Sequence, residues 1–371
     1  MANFNEKTIS KIYMCVFRKF SMGLPENAQL HFAEWNHNSS FIACGGALGM
    51  LRVVKISLEA TEPKHHPSST VLNVNQPLEG HQATVLNATW NENNQKLTTS
   101  DTSGLIIVWG NFSDQWVEEM INNRNKSVVV GICWNTDGTK IAIAYADGNV
   151  IVGTLEGNRI WNKELEMTLA SCEWAPDGDM LIFGTADGKV VVYDEAGNHF
   201  LDIPMNCLET EDLEQALAKS REDQQKEEIV CMKYWSPTLK SKAMMEEMEK
   251  EWEREQHERE KEVTGTAVFT NFPSKTAKDH HHHFDMDKNP EPYQPVPPDR
   301  PRFMVAYARG MIQLMRSISD PEPIVVRLPN VKITGARWSP NGAFIAICGF
   351  DADKEDSSRH SHIRFFSAYG Q

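Results

Sequence analysis

Three successive stretches of this 371-residue chain follow one pattern: an apolar strand ending in Trp, a polar turn, a second strand, a glycine turn and a third β-rich run. They read VLNATWNENNQKLTTSDTSGLIIVW, VVGICWNTDGTKIAIAYADGNVIVG and LASCEWAPDGDMLIFGTADGKVVVY. Their tryptophans, Trp90, Trp134 and Trp174, recur at the spacing of about 40–45 residues that is typical of a four-stranded propeller blade. Because one such sheet cannot bury both of its faces, it must stack against neighbours. The sequence therefore predicts an all-β protein with a β-propeller fold.

Six passes of this pattern can be recognised, each marked by a tryptophan: Trp35, Trp90, Trp134, Trp174, Trp235 and Trp338. A further strand is predicted at residues 8–20, before the first pass. Pairing of that strand with the last blade would close the ring and remove exposed sheet edges. It would belong to a seventh blade whose other strands are not in the sequence. We therefore expect residues 1–371 to form an open, truncated N-terminal WD-repeat propeller of a longer protein.

The fifth blade is interrupted by residues 238–300. The first part of this insertion has the charged i,i+4 pattern of an exposed helix, and the second part is rich in Pro and His and is expected to be disordered. A solvated insertion is the favoured interpretation, with a coiled-coil contact to a partner as the alternative. The tract His280–His283 could bind a divalent metal in vitro, but a segment without fixed geometry does not predict a physiological metal site. A second charged connection, also helical, is predicted at 209–228.

The second blade comes nearest to the GH…WD signature of WD repeats, in which a His, a Ser or Thr, an Asp and the Trp form a hydrogen-bonded network. His81, Ser100 (or Thr99) and Trp109 match it, while the turn position holds Ser103 and Asp101 is displaced by two residues. The third and fourth blades carry the turn aspartates, Asp147 and Asp187, but lack the GH pair, and Gly153 and Tyr193 replace the Trp. We expect these residues to hold blades together and to have no catalytic role.

Composition excludes several classes of function. A formal net charge of −14 argues against a general nucleic-acid or anionic-membrane binder, because both require clustered Lys and Arg. The seven cysteines show no CxxC spacing and suit a reducing compartment. No signal peptide and no apolar run long enough to insert into a membrane is evident. We find no HExxH, GxSxG, Walker or DxDxDG motif, so the sequence predicts no enzyme, no catalytic residue, no metal and no cofactor.

Several stretches have sequences that the propeller fold itself does not require, and these stretches resemble a known family. EEMINNRNKSVV (118–129), CWN (133–135), GNRIW (157–161), LTTSDTSGLIIVW (97–109) and WNHNSSFIACGG (35–46) closely resemble, in the same order, the WD-repeat subunit of the intraflagellar transport A complex. The likeness is good over 30–203, weaker over 302–371 and absent over 238–300. It implies a longer protein with a second propeller and a helical-repeat tail.

The resemblance also implies a non-catalytic subunit that acts in retrograde ciliary transport, cilium assembly and import of ciliary membrane cargo. Its partners would be the other transport A subunits and cargo proteins, and its location the cilium, basal body and cytoplasm. The INNRNK segment supplies the candidate partner contact: Asn122, Asn123, Arg124, Asn125 and Lys126. Two alternatives stay open, a generic WD-repeat adaptor outside the cilium, such as a ubiquitin-ligase substrate receptor, and a tubby-like protein with WD repeats.

Overall fold

The structure, a computed structural model, describes residues 29–36, 38–57, 71–124, 127–208, 227–235, 299–352 and 360–371. All regular elements in these ranges are β-strands, arranged as six antiparallel sheets whose strands follow one another in chain order. The predicted six-bladed, all-β propeller is confirmed. The first blade consists of β1 (Leu30–Trp35), β2 (Phe41–Gly46), β3 (Leu51–Ser57) and β4 (Val71–Pro77). The second consists of β5 (Val85–Asn91), β6 (Lys96–Asp101), β7 (Leu105–Phe112) and β8 (Gln115–Asn123).

The next three blades repeat this four-stranded meander. The third comprises β9 (Val129–Trp134), β10 (Lys140–Tyr145), β11 (Asn149–Thr154) and β12 (Arg159–Glu164). The fourth comprises β13 (Leu169–Trp174), β14 (Met180–Thr185), β15 (Val190–Asp194) and β16 (His199–Ile203). The fifth comprises β17 (Ile229–Tyr234), β18 (Phe303–Tyr307), β19 (Met311–Met315) and β20 (Ile324–Arg327). Its first strand lies before the segment 236–298, and its other three strands lie after it.

The sixth blade has three described strands, β21 (Val331–Trp338), β22 (Phe344–Asp351) and β23 (Ser361–Ser367). One of its faces packs against the fifth blade through Ile345 and Ile347, while Phe344, Ile363 and Phe365 are exposed. The strand predicted at 8–20 lies outside the described residues, as do the segments 209–226 and 236–298 and with them the predicted helices and the histidine tract. An ion pair between Arg337 of the sixth blade and Glu34 of the first links the two ends of the described array.

The repeated tryptophans join neighbouring blades by hydrogen bonds as well as by packing. The indole N–H of Trp90 donates to the carbonyl oxygen of Glu34 over 3.0 Å, and that of Trp174 donates to the carbonyl oxygen of Cys133 over 3.2 Å. Trp338 makes the equivalent bond to Lys233, at 3.1 Å. Each of these bonds runs from the first strand of one blade to the first strand of the blade before it. These tryptophans therefore help to hold successive blades together.

Apolar side chains fill the spaces between successive blades. Separate buried clusters lie between the first and second, second and third, third and fourth, fourth and fifth, and fifth and sixth sheets. Cys133 and Cys172, from neighbouring blades, meet in one of them with their Sγ atoms 3.3 Å apart. Burial, helped by the Cys172 thiol, raises the pKa of Cys133 well above its usual value. Cys133 is therefore a protonated, packed residue, and Cys172 packs against it, although their sequence spacing does not show them to be neighbours.

Candidate interaction site at the second and third blades

The second blade contains a buried polar network that joins the segment before β5 to the second and third strands of the blade. His81 Nδ1 lies 2.8 Å from Asp101 Oδ2, and His81 Nε2 lies 2.8 Å from Thr99 Oγ1. The indole N–H of Trp109 donates to the same Thr99 hydroxyl over 2.9 Å. These distances fit one arrangement of protons: Trp109 donates to Thr99, Thr99 donates to His81, and His81 donates to Asp101. Every polar atom along this path has a partner, which is what burial of such groups requires.

The electrostatics of the network keep His81 neutral and Asp101 charged. Burial lowers the pKa of His81, and the hydrogen bond and charge of Asp101 only partly oppose that effect. Burial alone would raise the pKa of Asp101, but hydrogen bonds from Ser103 and His81 outweigh it and hold this pKa below its usual value. A neutral imidazole with its proton on Nδ1 is the state that both groups favour.

The hydroxyl of the network belongs to Thr99 and not to Ser100. Thr99 pairs with Ile107 and shares a sheet face with Trp109, whereas Ser100 points to the opposite face and accepts a hydrogen bond from Asn87 over 3.2 Å. The carboxylate is that of Asp101, which the sequence pattern treats as displaced. Its Oδ1 also accepts hydrogen bonds from the backbone N–H and the hydroxyl of Ser103. Asp101 thus reaches both the turn and the histidine.

Asp147 and Asp187 lie in the equivalent turns of the third and fourth blades, away from this network. Asp147 Oδ1 accepts the backbone N–H of Asn149 over 3.1 Å, and the turn requires Gly148 at a φ of +87°. Asp187 accepts a hydrogen bond of 2.5 Å from the Thr185 hydroxyl and forms an ion pair with Lys189. The Thr185 hydroxyl and, after it, Lys189 hold the pKa of Asp187 below its usual value. The structure places both aspartates as turn-forming residues, each in its own blade.

The candidate contact segment begins at the end of β8 and runs towards the third blade. Asn122 and Asn123 are the last exposed residues of that strand, and Asn125 and Lys126 lie outside the described residues. Arg124 donates two hydrogen bonds to Asp147, of 2.9 and 3.1 Å, and its guanidinium lies 5.0 Å from the centre of the Tyr145 ring. Arg124 therefore fastens the connecting segment to the third blade.

A cavity of about 120 Å³ lies between the second and third blades, where the third blade lacks its tryptophan. Gly153 pairs with Ile141 in the third blade as Trp109 pairs with Leu97 in the second, so Gly153 occupies the tryptophan position. Most of the residues that line the cavity are apolar, and Asn122, Thr154 and Arg159 add polar side chains. The wall is formed by Ile106, Val108, Met120, Asn122, Trp134, Ile141, Ile143, Ile151, Gly153, Thr154, Leu155, Gly157 and Arg159.

Comparison with known proteins decides the family. The model of the WDR35/TULP4 N-terminal β-propeller family matches residues 14–251, more than half of the chain. The chain belongs to this family. It is 33% identical to human WD repeat-containing protein 35 over 355 residues, which cover 94% of this chain and 24% of that protein. The rat protein of the same name is 32% identical over the same length. The chain thus spans about a quarter of the length of these relatives.

A second branch of the WDR35/TULP4 family matches over a shorter length. Human tubby-related protein 4 is 34% identical, but only over 131 residues, or 35% of this chain and 8% of that protein. A chain in the crystal structure of the mitotic checkpoint complex superimposes with a TM-score of 0.55 and 12% identity, covering 92% of this chain and 75% of that one. That likeness concerns the fold alone. The breadth of the match to WD repeat-containing protein 35 favours that branch of the family.

Neither a metal-binding cluster nor a membrane-spanning helix is found in the part of the chain that the structure describes. No three His, Cys, Asp or Glu side chains there are grouped so that they could hold a metal ion. Within the same ranges, no helix is long and apolar enough to cross a membrane.

Proposed function

We propose that this chain is a non-catalytic subunit of the intraflagellar transport A complex. In this role it binds other subunits and ciliary cargo proteins, and it acts in retrograde ciliary transport, cilium assembly and import of ciliary membrane cargo at the cilium, the basal body and in the cytoplasm. The observation that carries the proposal is the 33% identity to WD repeat-containing protein 35 over 94% of the chain. The family's β-propeller fold is a scaffold for contacts between proteins, and the function lies in those contacts.

The proposed partner contact is the segment from Asn122 to Lys126. Asn122 and Asn123, exposed at the end of β8, support this assignment. The fold of a blade also does not require the sequence INNRNK at this place. Arg124 needs a careful test, because it also forms an ion pair with Asp147 in the neighbouring blade. A loss of binding on changing Arg124 alone could result from a displaced segment.

The first experiment is affinity purification of the tagged protein, expressed from its own locus in ciliated cells. We expect the other transport A subunits to be recovered with it. Recovery of ubiquitin-ligase components or other non-ciliary proteins in their place would overturn the proposal and favour a generic adaptor.

The contact segment is tested in the same assay with Arg124→Asp and with the charge-swapped double variant Arg124→Asp/Asp147→Arg. The single variant removes the ion pair, whereas the double variant restores it with reversed charges. If Arg124 contacts a partner directly, both variants lose the transport subunits. Recovery of binding in the double variant would show that Arg124 acts only by positioning the segment, and the contact would then have to be sought at the asparagines and Lys126.

A further inference from the structure

The cavity between the second and third blades has the position of a missing side chain. In the second blade the equivalent position is filled by Trp109, which is 3% exposed and packs against the first blade. In the third blade Gly153 leaves this space empty, and the buried cluster at that interface is correspondingly small. The neighbouring isoleucines and Trp134 do not fill it, because they belong to strands whose positions are fixed by the sheet register.

The cavity has the size and polarity to accept an aromatic ring from outside. An apolar cavity of about 150 Å³ takes up benzene, so a largely apolar space of about 120 Å³ that opens to solvent can take most of an aromatic ring, with the rest of the side chain at the opening. The cavity opens to solvent where its wall includes the exposed residues Asn122, Gly157 and Arg159. A ligand can therefore enter without separation of the blades.

The positive charge of Arg159 at the opening favours an acidic residue next to the inserted aromatic side chain. Arg159 begins β12 and is exposed, and its guanidinium is the cationic group of the lining. A carboxylate next to the inserted ring could accept hydrogen bonds from this guanidinium in a charge-assisted pair. The exposed Asn122 amide offers a further donor and acceptor to a peptide backbone.

We propose that this cavity is a docking site for an aromatic side chain, best a tryptophan, of a partner polypeptide in which an acidic residue adjoins the aromatic one. The partner's indole would occupy the space that a tryptophan side chain fills in the second blade and that Gly153 leaves open in the third. This inference goes beyond the proposed function and does not depend on it, since it holds for any partner that presents such a motif. If affinity purification recovers no transport A subunits, the docking site is unaffected. If the docking site fails its test, the proposed ciliary function is likewise unaffected.

The test measures binding of two probes to the purified protein by saturation-transfer NMR: free indole and the peptide Gly-Glu-Trp-Glu-Gly. We expect the peptide to bind with a Kd of about 0.1–1 mM, as is usual for a single anchoring side chain. Gly153→Trp fills the cavity from within and should abolish binding of both probes. Arg159→Gln should weaken the peptide about two- to fivefold, as for loss of an exposed ion pair, and leave indole unchanged.

Controls separate a filled cavity from a damaged fold. A Cβ at Gly153 would lie 3.2 Å from the Asn158 carbonyl oxygen and 3.8 Å from Ile141, so a side chain there requires a small adjustment. Gly153→Leu is the second variant if Gly153→Trp does not fold. Gly335→Leu is the matched control, because a Cβ at Gly335 meets nothing within 4 Å, and it should bind both probes like the wild type.

Three results would overturn the proposal. The first is that neither probe binds the wild type at about 1 mM. The second is that a folded Gly153→Trp or Gly153→Leu variant binds the peptide as well as the wild type does. The third is that indole binds but the peptide does not, which would make the cavity a site for small apolar molecules.

Discussion

The second and third blades have the same strand register, but different residues at equivalent positions. In the second blade, Trp109 fills the interface with the first blade and begins a continuous path of hydrogen bonds that ends at Asp101. In the third blade, Ile143, Tyr145 and Gly153 occupy the positions of Thr99, Asp101 and Trp109. The polar network has thus been replaced by apolar packing and a cavity. The comparison shows that a blade can keep its place in the propeller without the WD network. Apolar contacts with the neighbouring blades then hold it.

Removal of the indole from the second blade should have the largest effect. Trp109→Ala deletes a large buried side chain and leaves the Thr99 hydroxyl without its indole donor. We expect a loss of about 3–5 kcal/mol in the free energy of unfolding, measured by denaturant unfolding monitored by circular dichroism. The variant would carry a cavity like that of the third blade, so added indole should recover part of the loss. A loss below about 1 kcal/mol would show that the interface tolerates the missing ring as the third blade does.

The next effect separates two adjacent hydroxyls. Thr99→Val preserves the shape of the side chain but leaves His81 Nε2 and the Trp109 indole without a partner. We expect this substitution to cost about 1–3 kcal/mol, the usual penalty for a buried polar group left unsatisfied. Ser100→Ala is the matched control and should cost less, because that hydroxyl makes only a long bond of 3.2 Å with Asn87. Equal losses would assign the network equally to both residues, against the observed geometry.

Acid should weaken the second blade through His81. Its folded-state pKa is lowered by burial, so the unfolded chain takes up a proton near the ordinary value of about 6.5 while the folded chain resists it. Stability is therefore retained above that pH and lost as the pH falls below it. We expect the free energy of unfolding to fall more between about pH 7.5 and 5.5 in the wild type than in His81→Gln. Identical slopes would mean that His81 titrates alike in both states.

The residues that contact each other within a blade were accessible to sequence reasoning. The tryptophan spacing located all six sheets, and the alternation of side chains along a strand could also have identified Thr99, since it shares a face with Trp109 and Ser100 does not. The displaced Asp101 was harder to assign, because its carboxylate reaches the histidine from outside the expected turn position. That reach depends on backbone geometry that a residue pattern does not contain.

Features that arise between blades were less accessible. Cys133 and Cys172 are one and two residues before their repeat tryptophans, which offered a signal of proximity that simple cysteine spacing misses. The replacement of Trp by Gly153 was visible in the sequence. The sequence did not show whether neighbouring side chains would fill that space, because this depends on how Ile106 and Met120 of the preceding blade are placed. Sequence repetition thus determines a blade well and an interface poorly.

The smallest expected effect concerns the link between the two blades. Arg124 pairs with Asp147 and lies over Tyr145, but both members of the ion pair are partly exposed to solvent, with side-chain exposures of 21% and 38%. Water and salt screen such a pair, so Arg124→Gln should cost about 1 kcal/mol or less. The cost should shrink in about 1 M salt, which screens exposed charges strongly. Thermal unfolding at low and high salt measures both quantities, with Lys189→Gln at the exposed Asp187 pair as the control. A large, salt-independent loss would show that the third blade depends on the stacking of Arg124 over Tyr145, and that this contact does there what the buried network does in the second blade.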